Sequence, residues 1–376
     1  MNRKTCTTLF SILLACTVPG SKVLAEQDSS RILDELYTRE SKQPISERSG
    51  WQKPRDVVIV SSWASSGLEP ETREKLQAAA GAARLHIFSN ADAASKALAT
   101  ADVLLGSCTM YSDEMKNIRW VQHFSAGVDR CGGSKGLENG DVLLTHMKGV
   151  YGSGIAEHVI AMMLSLGRQL PRFRAAQDEA RWDDGIPGKF PLVEVRGKTM
   201  LVVGLGGIGS EIAWRAKGLG MKVLATRNSS RSGPDFVDYV GLAPELHELA
   251  QKADVIVNAT PLTRSTTNLF DEAFFAQLRR SAIFINIGRG KSVVTADLVA
   301  ALKEGRLAGA ALDVTEPEPL PSGHPLWDMD NVIITPHISA YSDMLTRRFW
   351  VFVIENLRRY VAGEAMLNTV NMKSGY

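Results

Sequence analysis

Cysteine is scarce in this chain. Four stand among 376 residues, and two of those, Cys6 and Cys16, fall within the first 25, leaving Cys108 and Cys131 in the body. Two thiols are not a disulfide framework. A buried free thiol is the commoner state for such residues, although an oxidising compartment permits one bridge. Charge of one sign is lacking too: 43 Lys and Arg against 41 Asp and Glu leave a net +2, with no long basic run. That argues against nucleic acid as a partner. No apolar run reaches the roughly 20 residues of a membrane span. Neither C-x-x-C nor H-E-x-x-H occurs, so no metal is expected. Internal repeats and low-complexity tracts are also missing, which excludes solenoids and arrays.

The start of the chain has its own composition. Arg3 and Lys4 precede the apolar stretch Leu9 to Val18, and Val23-Leu24-Ala25 supplies the small-residue spacing of a cleavage site. Residues 1–25 therefore read as a signal peptide cut after Ala25. The mature protein would be exported, periplasmic or otherwise extracytoplasmic, with no stable membrane insertion. An uncleaved anchor, a lipid on Cys16 and a misplaced start are the other readings. Residues 26–55 are polar and weakly periodic, as in a linker or loosely docked arm.

From Val57 onward, short apolar runs alternate with helical patterns. The first series has strands at Val57 to Val60, Leu85 to Phe88, Val103 to Leu105, Trp120 to Phe124 and Val142 to Thr145, with helices over Thr72 to Ala83 and Ala91 to Thr100. A helix over Ile155 to Leu170 leads to a second series. Its strands fall at Met200 to Val203, Lys222 to Thr226, Val255 to Asn258, Ile283 to Ile287, Gly309 to Asp313 and Ile333-Ile334, and Arg347 to Val361 reads as a closing helix. Such alternation predicts α/β architecture with parallel sheets flanked by helices, and the length suits two domains of about 150 residues each.

One strand, Met200 to Val203, runs into Gly204-Leu205-Gly206-Gly207-Ile208-Gly209 and then a helical pattern. Gly204 allows the tight turn, Gly206 lets backbone approach a pyrophosphate, and Gly209 lets the helix pack close to the strand. With Gly207 and Ile208 these residues predict a dinucleotide site. Where an acid would hold a ribose hydroxyl, the chain has Arg227, followed by Ser229 and Arg231. A guanidinium pairs with a 2′-phosphate that an acid would repel, so NADP(H) is favoured over NAD(H). Thr260 and Pro261, just past the strand Val255 to Asn258, and Asp313 complete the expected cofactor contacts.

Three downstream segments place ionisable residues at strand ends: Asn286-Ile287-Gly288-Arg289-Gly290, Asp313-Val314-Thr315-Glu316-Pro317-Glu318-Pro319, and Thr335-Pro336-His337. Residues just past the carboxyl ends of strands face the ligand crevice of an open α/β sheet. With the glycine loop, these segments closely resemble the D-isomer-specific 2-hydroxyacid dehydrogenases over roughly residues 57 to 365. The resemblance implies two doubly wound, Rossmann-like domains. The substrate domain is discontinuous, residues 56–150 plus 338–376, and the dinucleotide domain spans 151–337. It further implies that Arg289 fixes the substrate carboxylate, that Glu318 supports His337, and that His337 exchanges a proton with the substrate oxygen. Counting from Arg289 favours Glu318 over Glu316. Ser125, Ala126 and Gly127 match the loop whose backbone amides help bind the carboxylate. Gly149-Val150-Tyr151 and Gly323-His324-Pro325-Leu326-Trp327 look like the glyoxylate and hydroxypyruvate reductase branch.

The chemistry suits these residue types. Hydride delivery to a 2-keto carbon develops charge on oxygen, which a histidinium neutralises, and a neighbouring carboxylate favours the charged imidazole. An arginine binds a carboxylate through two parallel hydrogen bonds and orients the adjacent carbonyl. The expected enzyme is an NAD(P)-dependent oxidoreductase interconverting small 2-keto and D-2-hydroxy acids. The segment Ile155 to Trp182 resembles the family's dimer arm, implying a homodimer. Two rivals remain. A dinucleotide-sensing scaffold would keep the fold without useful turnover, and export favours it, since reduced dinucleotides are made inside cells. Formate dehydrogenase pairs its histidine with an amide, against which Glu318 counts. His86, His123, His146, His158, His247 and His324 match no proton-transfer element and default to structural roles.

Overall fold

The computed structural model describes residues 29–36, 38–62, 68–189 and 191–372. The expected signal peptide lies outside them. The chain first forms helix α1 (Ser29–Glu35) and strand β1 (Glu40–Pro44), then alternates through β2 (Asp56–Val60), α2 (Pro70–Ala80), β3 (Arg84–Phe88), α3 (Ala91–Leu98), β4 (Val103–Gly106), β5 (Trp120–His123) and β6 (Leu143–Thr145). Strands β2 to β6 make a five-stranded parallel sheet in the order β3-β2-β4-β5-β6. Strands β2, β4 and β5 are buried along their whole length, so Val57 to Val60 and Val103 to Leu105 read as continuous apolar runs, while β5 buries the polar Gln122 and His123.

Helix α4 (Gly152–Gly167) crosses to the second half, and α5 (Leu170–Asp178) follows it. Sequence periodicity predicts one helix to Leu170, but Gln169 turns left-handed at φ 57° and divides the two. The second half contains β7 (Thr199–Val203), α6 (Gly207–Gly218), β8 (Lys222–Arg227), β9 (Tyr239–Leu242), α7 (Leu246–Ala250), β10 (Val255–Asn258), α8 (Glu272–Ala276), β11 (Ile283–Asn286), α9 (Thr295–Lys303), β12 (Gly309–Leu312) and β13 (Val332–Ile334). Its seven strands are all parallel, in the order β13-β12-β11-β10-β7-β8-β9. The order reverses beside β7, and such switch points are where open sheets hold ligands.

The chain then returns to the first half through α10 (Leu345–Ala362) and β14 (Ala365–Leu367). Buried hydrogen bonds fasten it there. Asn356 of α10 donates to Gln122 Oε1 at 2.8 Å, Gln122 Oε1 also accepts from Thr145, and Thr145 accepts from the indole of Trp120. Trp120 in turn stacks on Tyr360 at 4.8 Å. Buried polar groups need such closure, because each lost partner costs about 1–3 kcal/mol.

The segment expected to be a linker is instead built into the first half. Ile32, Leu36 and Ile45 are buried, and β1 pairs antiparallel with β14. Three anchoring apolar residues among many polar ones make a weak periodic signal, and the partner strand lies at the far end of the chain. Among the described residues, no helix is long and apolar enough to cross a membrane.

Candidate active site

The glycine loop follows β7. Gly204 has φ +99°, and a Cβ there would meet the Ala259 carbonyl at 2.8 Å; one on Gly209 would lie 2.2 Å from the Gly204 carbonyl. Both positions therefore require glycine. Helix α6 starts without a side-chain cap, so its first amides are available to an anion. The residues present thus fit a dinucleotide pyrophosphate.

At the end of β8, Arg227 donates from Nη1 to the Ser232 carbonyl at 2.9 Å, and Ser229, two residues on, is exposed. Arg231 is committed elsewhere. Its guanidinium bonds Glu245 and the Tyr239 hydroxyl, and these bonds pull the Glu245 carboxyl down to about 2.

Two buried asparagines at the ends of β10 and β11 set the neighbouring turns. Asn258 accepts from the amide and hydroxyl of Thr260, next to Pro261, and donates to Asn286 Oδ1 at 2.9 Å. Asn286 donates to the Arg289 carbonyl and accepts from the Gly288 amide. A Cβ on Gly290 would lie 1.9 Å from the Thr315 carbonyl. That close approach packs the arginine turn against the loop carrying Glu318.

Arg289 reaches across to the first half. Its Nε and Nη2 donate to Asp129 Oδ1 at 3.1 and 3.0 Å, and Nη1 donates to the Gly288 carbonyl. Burial pushes the Asp129 carboxyl up, but the charge and hydrogen bonds of Arg289 outweigh it and leave the group below its ordinary value. The guanidinium lies against Gly127, where any Cβ would collide with Nη2.

The loop Ser125-Ala126-Gly127 is held from behind by its carbonyls. Tyr151 OH donates to Phe124 O, the Met147 amide to Ser125 O, His146 Nδ1 to Ala126 O, and His123 Nε2 to Gly127 O. The amides of residues 125–127 have no partner among the described residues. Carbonyls fixed inward and amides left open make a concavity suited to an anion. Burial lowers the pKa of both histidines, that of His146 to about 4, so both serve as neutral donors.

His337 has φ 54°, and its Nδ1 donates to Glu318 Oε1 at 2.7 Å. The turn is fixed by Asp313, whose buried carboxylate accepts from Thr335 Oγ1 at 2.6 Å and from the amides of Ile338 and Ser339. His158 of α4 donates to the same threonine at 3.0 Å. Asp313, expected beside the cofactor, thus spends both oxygens on the turn that presents His337. Sequence reasoning missed Asn258 and the partners of Asn286 and His158, the latter read as structural, since each acts through a neighbour that only the fold supplies.

Cys108 and Cys131 form a disulfide, with Cα atoms 5.3 Å apart. Their sulfurs and His123 lie within 4.8 Å of one another. The sulfurs are spent on each other, and His123 Nδ1 accepts from the Cys108 amide while Nε2 donates to Gly127 O.

Comparison with known proteins follows the same outline. The model of the NAD-binding domain of D-isomer specific 2-hydroxyacid dehydrogenases matches residues 160–339. Glyoxylate/hydroxypyruvate reductase B of Citrobacter koseri is 33% identical over 73% of this chain and 86% of its own. D-3-phosphoglycerate dehydrogenase of Archaeoglobus fulgidus is 32% identical over 69% of this chain, which spans only 48% of that relative's length. Among solved structures, an NADPH-dependent glyoxylate/hydroxypyruvate reductase of Sinorhizobium meliloti, in complex with NADP and sulfate, superposes with a TM-score of 0.71. It is 28% identical, covering 85% of this chain and all of its own (100%).

Proposed function

This chain belongs to the D-isomer specific 2-hydroxyacid dehydrogenase family, and from that premise we propose that it reduces small 2-keto acids of the glyoxylate or hydroxypyruvate type to D-2-hydroxy acids, using NADP(H) in preference to NAD(H). As a member of the family it is an oxidoreductase acting on the CH–OH group. The observation carrying the finer reading is the 2.7 Å contact between His337 and Glu318, supported by Arg289 lying against Gly127 of the loop with open amides.

When bound, the reduced nicotinamide supplies the hydride that the keto carbon accepts. Everything else falls to the protein. Arg289 and the amides of Ser125, Ala126 and Gly127 bind the substrate carboxylate and fix which face of the adjacent carbonyl is presented. His337, its Nδ1–H held by Glu318, directs Nε2 at the substrate oxygen and gives it a proton; in the reverse direction neutral Nε2 takes the proton back. Glu318 offsets the imidazolium charge. Its bond to Nδ1 also sets the ring orientation, which an amide would do without the charge.

Arg227 supports the cofactor preference, since a guanidinium at the end of β8 forms charge-assisted bonds to a 2′-phosphate. The reductase of Sinorhizobium meliloti, solved with NADP, supports it too. A homodimer is favoured by an apolar trough lined by Ile160, Ala161, Leu164, Trp214, Leu219 and Phe236, and by Trp182, which is 91% exposed. The disulfide supports export, because such bonds persist in oxidising compartments. A panel of 2-keto acids assayed with both reduced cofactors, followed by loss of nicotinamide absorbance, tests the reading. No turnover with any keto acid, despite dinucleotide binding, would favour the sensing scaffold.

A further inference from the structure

Lys148 has no part in the reaction as described, yet its side chain runs along the glycine loop. A Cβ built on Gly207 would touch Lys148 Cγ at 3.8 Å, and one on Gly206 would touch Cε at 3.8 Å. The stem therefore lies across the two glycines that open α6, carrying its ammonium beyond Gly206. The charges that act on it are those of Arg227 and Arg39, with no carboxylate among them. Burial, and then these two arginines, hold its ammonium below the usual lysine range. A partly buried ammonium facing two guanidiniums and the positive end of a helix is unfavourable in the empty protein. An anion at that point would relieve all four.

The position is also built. Asn368, buried and left-handed at φ 52°, donates from Nδ2 to the Lys148 carbonyl at 2.8 Å. Its backbone amide donates to the Arg39 carbonyl at 2.7 Å, and its Oδ1 accepts from the Arg39 amide at 2.9 Å. One side chain thus ties the N-terminal arm to the segment that carries Lys148. Gly149 has φ +92°, and the Leu36 carbonyl fills the place its Cβ would take, only 1.6 Å away. The arm therefore rests directly on the Lys148-Gly149 peptide and fixes where the stem begins.

We propose that Lys148 is a cofactor-binding residue that pairs with the pyrophosphate of the dinucleotide, held over Gly206-Gly207 by the N-terminal arm. The proposal rests on the reading that the chain binds a nicotinamide dinucleotide. Arg227 serves the 2′-phosphate, so Lys148 serves the phosphates that NADH and NADPH share, and Arg39 adds to the field from outside.

The test is the dissociation constant of NADH and of NADPH, measured by quenching of tryptophan fluorescence in the full chain. Lys148→Met is expected to weaken both by about ten- to a hundred-fold, the range for a hydrogen bond to a charged group. Its salt dependence should flatten, and Lys148→Arg should recover most of the affinity. Asn368→Ala, which leaves the lysine but frees its anchor, is expected to weaken both by a smaller factor. Near-equal affinities for Lys148→Met and wild type, in a variant with unchanged melting temperature, overturn the proposal. Loss confined to NADPH overturns it as well, since the lysine would then serve the 2′-phosphate. A wild-type protein that binds neither dinucleotide would refute the functional reading itself, and the proposal with it.

Discussion

The Cys108–Cys131 disulfide joins residues separated by 23 positions, and closing a loop of that length removes unfolded-chain entropy worth about 3.4 kcal/mol at 25 °C. Between the two cysteines lie β5 and the loop Ser125–Asp129, so the constraint acts on the part of the fold that presents the open amides. If the whole chain melts in one transition, opening the bridge should lower Tm by about 5 °C; if the first half melts alone, by about 10 °C. The comparison to make is between oxidised protein and protein reduced under denaturing conditions, then refolded with its thiols maintained, because both forms keep the same sulfur volume. Calorimetry gives the shift. Steady-state kinetics should show KM for the keto acid raised more than kcat is lowered, since a looser loop loses binding before chemistry. Two reactive thiols in the oxidised, denatured protein would refute the bridge. Equal melting of the two forms, within about 1 °C, would refute the entropic reasoning.

Other outcomes follow from the crevice and its surroundings. His337→Ala should lower kcat by roughly 10² or more while dinucleotide affinity stays near wild type; retention of most activity would place the acid elsewhere. Arg227→Asp should reverse a preference for NADPH of about ten- to a hundred-fold in kcat/KM, and equal values for both cofactors in the wild type would show that the guanidinium reads no phosphate. His146, buried and lowered from 6.5 to about 4, binds its proton in the unfolded chain first. Stability should therefore fall as pH drops from about 6.5 to about 4, by roughly 3 kcal/mol from this group alone. His123 acts in the same direction, and the lowered carboxylates of Glu245 and Asp56 join it only from the acidic end of that window downward. Denaturant midpoints that stay flat across that window would count against a neutral, buried His146.

The parallel strands were legible because burial on both faces leaves uninterrupted apolar runs, as in Val57 to Val60 and Ile283 to Ile285. The glycine loop and the Arg, Glu and His of the crevice were legible because tight turns at strand ends force a characteristic spacing. What stayed hidden depends on distant partners. The pairing of β1 with β14 joins polar Glu40–Pro44 to the far end of the chain, and its register is set by Asn368 and Arg359. Strand β9 is a short edge strand, Tyr239–Leu242, with one exposed end. The break at Gln169 lies between Gly167, which ends α4, and Pro171 in the first turn of α5, but the apolar periodicity runs through both and so reads as one helix. Lys148 looks like any surface lysine until the fold lays it on Gly206. Arg231 reads as a phosphate ligand until Glu245, 14 positions away, is seen to hold it.

If Arg289 takes the substrate carboxylate as proposed, its contact with Asp129 makes capture an exchange of one anion for another. The guanidinium is already neutralised, with 27% of its side chain exposed against 19% for the aspartate, so an arriving carboxylate gains little from attraction over distance. It must share or displace the resident one. On the proposed reading, what it gains beyond Asp129 comes from the amides of Ser125, Ala126 and Gly127, which have no partner among the described residues. On that reading, binding then depends on where the carboxylate sits as well as on its charge.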